Sequence, residues 1–496
     1  MKKVIIVGAG IAGLTAGVYA AQSGFEVTIY EQHTIPGGAS TSWRRKGYLF
    51  EGGMHWLTGS MEGTPLYELW MEIGALNDKV PIYNRDPFFS FEDQGKTICL
   101  YRNLEKLHSH LLELAPEDEK EINSLCSDIK KFSKMQMPIM DIKGVKVKNK
   151  KKVSMSSMLK MMPALPRMGY YTNQTVEEYT KRFQNPLLRK FLQSIIGSEY
   201  NASGLVFTIA TLISGDGGYP EGGSLGMAKR IADKVKALGG KIEYGKSVDK
   251  VEILNNVARG VIIDGKLVQA DAVIVAQDTL VAIDQLFDPP IKEAWANTMR
   301  EVTIPMLDTF LCLGVEADLS DLPENISFSP EKPFNCGGIP VTLIGLNNYA
   351  GYKGYAPEGC TAITSICSGD SYDFWKKCKE DGTYEAEKER LAADYIAALT
   401  RKYPKITGKI AVWDVATPLT YERYLRSYKG SWMTGTGKGE RMSEYPSKPE
   451  SIQKVYFASH RLMPPGGLPG AAAMGRKAVQ YLCKDTDTVF QERIVN

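Results

Sequence analysis

The stretch VIIVGAGIAGLTA, residues 4 to 16, limits the fold more than any other. A short apolar, β-branched run, KKVIIV, leads straight into Gly8, Gly10 and Gly13. Such a run suits a buried parallel strand. LTAGVYAAQSG then supplies Leu14, Ala16, Ala20 and Ala21 to a closely packed helix, and Gly24 ends it. FEVTIYE reads as a second strand whose last residue, Glu31, stands 18 residues after Gly13. Together these parts predict a dinucleotide-binding strand–helix–strand unit. Gly8 allows the tight turn, Gly10 lets a pyrophosphate approach the backbone, and Gly13 lets helix and strand close up. The first helical turn, with Ala12 in it, offers free N–H groups and a positive dipole end to phosphates. Glu31 can accept hydrogen bonds from ribose hydroxyls and repels a 2′-phosphate. The competing reading, a glycine turn with no ligand, explains none of the other parts.

With 496 residues the chain has room for two or three domains. Its 60 basic and 57 acidic residues leave a net charge of +3, so nothing electrostatic supports a nucleic-acid partner. No run of 18 apolar residues marks a spanning helix. The first strand begins at Lys3 or Val4, which leaves no room for a secretory signal. Eight scattered cysteines without a C-x-x-C pair read as reduced, mostly buried thiols of a cytoplasmic protein. A metal site is not expected, because the five histidines do not cluster with cysteines. His108 and His110 lie on a helical stretch at i and i+2, which do not face each other, and read as surface residues.

The next segment decides which dinucleotide. EQHTIPGGASTSWRRKGYLFEGGMHW places Gly37–Gly38 just after Glu31, then a basic turn, a strand-like YLFE, and Gly52–Gly53 before Met54, His55 and Trp56. This order resembles FAD-dependent oxidoreductases of the amine-oxidase and phytoene-desaturase type. Residues 218 to 252, GYPEGGSLGMAKRIADKVKALGGKIEYGKSVDKVE, resemble the same family's central FAD segment, and the resemblance puts an adenine-side backbone contact on Val248. A hairpin with an Asp264–Gly265 turn and an apolar strand follow. Residues 455 to 482, VYFASHRLMPPGGLPGAAAMGRKAVQYL, resemble the last FAD segment. There the resemblance implies a turn through Gly467, Leu468 and Pro469 under the isoalloxazine, with a helix N-terminus polarising the pyrimidine end. GGASTS and FEGGMHW look closest to the carotenoid-isomerase and retinol-saturase branch.

Two departures stand out. Many relatives carry Arg or Lys directly after the first Gly-Gly pair, where this chain has Ala39; Arg44 and Arg45 are the candidate substitutes near the phosphates. The last segment often carries Gly-Asp or Gly-Glu, where this chain has Ser459 and His460. Either can hydrogen-bond ribityl oxygens.

The expected fold class is α/β: a Rossmann-like FAD-binding domain with an inserted α+β substrate domain. The FAD domain is expected from 1–105, 215–285 and 445–490, and the substrate domain from 106–214 and 286–444. Pro116, early acids and the spacing of Ile122, Leu125, Ile129 and Phe132 predict a helix in the first insert. GTGKGE, residues 435 to 440, lacks a preceding apolar strand and reads as a loop. Residues 135–168 hold eight methionines around a lysine-rich middle with no acid between Asp141 and Glu177. A cationic, methionine-rich stretch suits peripheral contact with an anionic membrane. A solvated basic loop whose methionines face the core fits equally well.

In such an enzyme the flavin carries the hard step, and the protein positions a C–H or C=C bond and excludes water. A lipophilic substrate, with isoprenoid, carotenoid or retinoid compounds as the classes the resemblance implies, needs an apolar tunnel more than a charged triad. His55 is the candidate proton or hydrogen-bond donor; a structural role at the Gly-Gly turn is the alternative. Trp56, Tyr219 and Tyr424 are candidate substrate-wall residues, with core packing as the alternative. NADH or NADPH is a candidate external electron donor. Two other functions share the scaffold. One is a flavin amine oxidase or porphyrinogen-type oxidase; the other is an escort protein that binds prenylated partners and has lost FAD. The intact glycine set with Glu31 argues against the last.

Overall fold

The computed structural model describes residues 1–136, 138–148, 164–435 and 444–493. Strand Lys3–Val7 is buried from its second residue onward and lies at the centre of a five-stranded parallel sheet. Glu26–Glu31 and then Lys241–Tyr244 flank it on one side. Ala272–Val275 and then Val455–Phe457 flank it on the other. The strand order therefore reverses between Lys3–Val7 and Ala272–Val275, and ligands of open parallel sheets bind outside the carboxyl ends at such a point.

Helix Ile11–Gln22 is made of small residues and is buried almost all round. It packs between helices Gly223–Ala237 and Gly467–Asp485. Its C-terminus turns at Gly24, φ +88°, and the Phe25 N–H returns to the Ala20 carbonyl. Close packing explains Gly13: a Cβ there would sit 2.0 Å from the Gly8 carbonyl oxygen. The Asp264–Gly265 hairpin forms as expected, with both residues at positive φ, in a small antiparallel sheet.

A second sheet has seven strands, in the order Ile410–Ala416, Asp308–Val315, Thr361–Ser368, Ile344–Asn348, Asn325–Phe328, Phe89–Asp93 and Lys96–Leu100. Side chains alternate across it. Leu311, Leu313, Ile326, Leu346 and Ile363 pack on helix Tyr384–Lys402 with Leu391 and Tyr395. The opposite face carries Asp308, Phe310, Ile366, Asn347, Ser327 and Phe91, which line a cavity. Over the Phe89–Phe91 end lies a helical layer that includes Glu119–Phe132, whose Ile122, Leu125, Ile129 and Phe132 are buried as the spacing predicts.

Two expectations need correction. Segment 1–105 is expected in the FAD-binding domain, yet its hairpin Phe89–Leu100 extends the second sheet. Its alternating pattern specifies a half-buried strand pair and carries no information about which sheet it joins. His110 is not a free surface residue: its Nε2 accepts the Cys99 N–H at 3.0 Å and its ring meets Tyr101 edge-on.

Of the lysine-rich segment, residues 137 and 149–163 lie outside the described residues, as do 436–440 of the expected loop. The described start of the segment lies along the C-terminal helix. Ile142 N–H reaches Gln480, and Val147–Lys148 pairs with Phe490–Gln491. Among the described residues, no helix is long and apolar enough to cross a membrane, and no group of His, Cys, Asp or Glu could hold a metal ion.

Candidate active site

One cavity of about 2040 Å³ runs from the carboxyl ends of the parallel strands to the open face of the second sheet. Small-molecule sites usually occupy roughly 300–1,000 Å³, so this one has room for a large cofactor and a second large molecule. At the nucleotide end it is lined by Gly8, Gly10, Ala12, Glu31, Gly37 and Gly38, and across from them by Val248. Gly13 lies behind this turn, in the helix–strand contact. Glu31 ends its strand, is almost fully buried, and accepts the N–H groups of Ala9 at 2.7 Å and His33 at 2.8 Å. Burial raises its pKa above the usual carboxylate value, against the lowering effect of those N–H groups.

Gly10 shows that this end fits a dinucleotide. Its backbone, φ −68° and ψ 173°, is open to any residue. A Cβ there would meet nothing closer than Gly38 Cα at 3.9 Å. The protein itself does not require glycine here; a ligand lying against the helix N-terminus does. Buried polar atoms along the same wall also lack protein partners: Ser40 Oγ, Ser247 Oγ, Gln277 Nε2 and His460 Nδ1. A phosphate–ribityl chain supplies the donors and acceptors they need.

In the middle, Ser459, His460, Gly467, Leu468 and Pro469 all line the cavity. Helix Gly467–Asp485 begins there, so a second helix N-terminus faces the cavity. His460 sits in a short 3-10 turn whose next residue, Arg461, is fully buried. Burial, helped by the Arg461 charge, lowers the His460 pKa to about 4, which keeps the ring neutral.

His55 and Trp56 form the opposite wall. Two buried carboxylates shape their loop. Glu51 accepts the N–H groups of Gly53 at 2.9 Å and Ser224 at 3.0 Å. Asp216 accepts those of Gly59 and Ser60. Burial, with Arg85 nearby, lowers the His55 pKa to about 4, so this ring too is neutral. Trp56 meets Phe88 edge-on, with ring centroids 5.7 Å apart, and both rings line the cavity.

Three expected site residues stand elsewhere. Arg44 is exposed and donates to the carbonyls of Gly47 and Gly354, away from the glycine turn. The short strand Ser42–Arg45 directs it outward. Tyr219 is not a wall residue. It is fully buried and donates to Glu51 at 2.6 Å within a cluster with Tyr349, Tyr352 and Tyr355. Tyr424 lines the cavity, but at the nucleotide end, where it meets the His33 ring at 4.8 Å and its carbonyl takes the Gln32 amide.

The chamber beyond Trp56 has a sheet for its floor. Phe310, Ile366, Ser327 and Phe91 stand on successive strands, with the side-chain-free Gly345 between Ile366 and Ser327. Four interstrand steps make this row roughly 19 Å long. Asn325 and Asn347, paired in register, flank it. Asp308, at the start of its strand, also lines the chamber. Neither the sheet register nor these polar floor residues could be read from the sequence.

A family model described as flavin containing amine oxidoreductase matches residues 11–483. The chain is 24% identical to a chloroplastic prolycopene isomerase of Daucus carota over 504 aligned positions, covering 97% of this chain and 80% of that one. It is 23% identical to a 1-hydroxycarotenoid 3,4-desaturase of Flavobacterium sp., covering 95% and 96%. Its fold matches that of an oxidoreductase from Methanosarcina mazei with a TM-score of 0.62 at 18% identity, over 96% of this chain and all of the other.

Proposed function

Since the chain belongs to the flavin-containing amine oxidoreductase family, an FAD-dependent oxidoreductase family, we propose that it changes carbon–carbon bonds of a long, lipophilic, carotenoid-like polyene. One observation carries this reading: the cofactor groove continues without a break into a chamber floored by a row of mainly apolar side chains across five strands. A rod-shaped hydrocarbon fits such a floor; a small polar substrate would leave most of it empty. The similarity to carotenoid-acting proteins points the same way.

Bound FAD supplies hydride acceptance or donation at its N5. Gly8, Gly10 and the N-terminus of helix Ile11–Gln22 would hold the pyrophosphate, Glu31 a ribose, Val248 the adenine side, and Ser459 and His460 the ribityl chain. Gly467–Pro469 would underlie the ring and aim a helix dipole at its pyrimidine end. His55 is neutral and positioned by the Glu51 and Asp216 loop, so it would donate or accept a hydrogen bond toward the bound cofactor or substrate. Trp56 and Phe88 would close the chamber to water. Such a substrate is poorly soluble, and the enzyme would meet it at a membrane surface from the cytoplasmic side.

An anaerobic absorption spectrum tests this reading. Purified protein should show a flavin spectrum. A polyene that bleaches it identifies a desaturase, whereas bleaching by NADH or NADPH identifies a saturase or an isomerase that works with reduced flavin. Reduction by amines and by no polyene would refute the reading.

A further inference from the structure

We propose that Asp308 is the proton-transfer group of the chamber, an inference that rests on the polyene reading above. Asp308 opens strand Asp308–Val315 and is 7% exposed, yet it lines the cavity. Two residues earlier, Met306 pairs with Met433, whose sulfur lies 3.8 Å from where a Gly467 Cβ would stand. Asp308 is thereby tied to the head of helix Gly467–Asp485, which would underlie the flavin ring. On its other side, Phe310 and Ile366 begin the apolar floor. It thus stands at the junction of cofactor and substrate.

A carboxyl group is a costly thing to place in such a wall unless it is paired. No basic side chain among the described residues pairs with Asp308. The ionisable groups that face it are Tyr200, Tyr421 and Cys367, all neutral near pH 7, with Ser368 and Trp432 beside it. Burial raises its pKa to about 6, and the neighbouring Ser368 and Trp432 side chains offset part of that rise. Both protonation states are therefore within reach at neutral pH, which is what a general acid–base needs. His55 and His460, held neutral with pKa values of about 4, are weaker proton acceptors than this carboxylate.

The step balances as follows. In dehydrogenation, bound FAD would take up the hydride lost from one substrate carbon. The adjacent carbon gives a proton to the Asp308 carboxylate, and the electron pair of that second C–H bond becomes the π bond. Saturation would be the reverse: the Asp308 carboxyl group returns the proton, and bound reduced FAD would supply the hydride.

The test compares holoenzyme and Asp308→Asn. The variant should keep its FAD and bind a long conjugated polyene with the same affinity, read from the perturbed flavin spectrum. Its rate of flavin reduction or reoxidation in a single turnover should fall by about 100-fold or more, and the inflection near pH 6 in the wild-type rate should vanish. Independently of turnover and of the variant's folding, wild-type protein should show a carboxyl infrared band that titrates near pH 6 and shifts when polyene binds. A variant that keeps its rate within about threefold, or a wild type lacking that band, overturns the role of Asp308 and leaves the polyene reading standing. A wild type that binds no polyene but is reduced by an aliphatic amine overturns both, and makes Asp308 an ammonium counter-ion instead.

Discussion

Arg461 and Asp278 form a bidentate ion pair with both N···O distances at 2.6 Å, and the two side chains are 0% and 3% exposed. Arg461 also donates to Thr434 and Ser431, while Asp278 caps helix Thr279–Gln285 through Leu280 N–H and accepts the Tyr428 N–H. One buried pair thus ties the 3-10 turn that carries His460 to the end of the parallel sheet. Burial works against the Asp278 charge, but the Arg461 guanidinium overcomes it and holds the pKa below the usual carboxylate value.

Breaking this pair from one side leaves an unpaired buried charge. Arg461→Met should therefore cost about 3–5 kcal/mol and release FAD, measured by denaturant unfolding and flavin content. The double variant Arg461→Met with Asp278→Leu should recover much of the stability without recovering FAD, because the turn that presents His460 has lost its anchor. Recovery of both would mean that the pair only stabilises.

Gly10 and Gly13 should fail in different ways. Gly10→Val has room in the protein and should fold, yet purify without flavin. Gly13→Val would force a side chain into the Gly8 carbonyl and should not fold. Circular dichroism and the visible spectrum separate the two outcomes. A yellow Gly10→Val protein would refute the assignment of that turn to the pyrophosphate.

His55 and His460 predict acid sensitivity. Each has a folded pKa of about 4 against an ordinary value of 6.5. Unfolded chains bind these protons first, so stability is lost as pH falls from about 6.5 and levels off below about 4. His460→Gln should flatten that slope in a series of thermal melts across the window. An unchanged slope would show that the ring is not buried neutral.

Tyr219 is expected to act on Glu51 and not on substrate. Tyr219→Phe removes a hydrogen bond to a buried carboxylate and should cost about 1.5–3 kcal/mol. Preference among polyenes of different length should not change, as it would if the ring lined the chamber. Turnover assays with a length series check this.

The sequence made the nucleotide end legible because glycine spacing, strand period and a terminal acid are local signals. Gly8, Gly10, Glu31, Gly37, Val248 and Gly467 all came to one cavity. Where contacts depend on sheet register, nothing local marks them. Tyr219 and Tyr424 look alike in sequence, yet one is buried on Glu51 and the other lies beside His33. Arg44 had the right charge on a strand that points it to solvent. Asp308 reads as one acid before an apolar strand, and only the pairing of Met306 with Met433 sets it near the head of helix Gly467–Asp485.

Asp308 also predicts a trade of stability against activity. Its folded pKa, raised to about 6 from 3.8, means that the native state holds a proton that the unfolded chain has already lost. Stability therefore falls as pH rises from about 4 through about 6, and the full cost is present above that window. Asp308→Asn removes an ionisable group of the same shape. It should raise the stability of the apoprotein by up to about 3 kcal/mol near pH 8 and by little near pH 4. Denaturant titrations at the two ends of the window measure the difference. A variant that is equally stable at both, or less stable at the alkaline end, would mean that the carboxylate is better solvated than its surroundings imply. A variant that is more stable and slower would show that the chamber keeps an unfavourable charge for the proton it can carry.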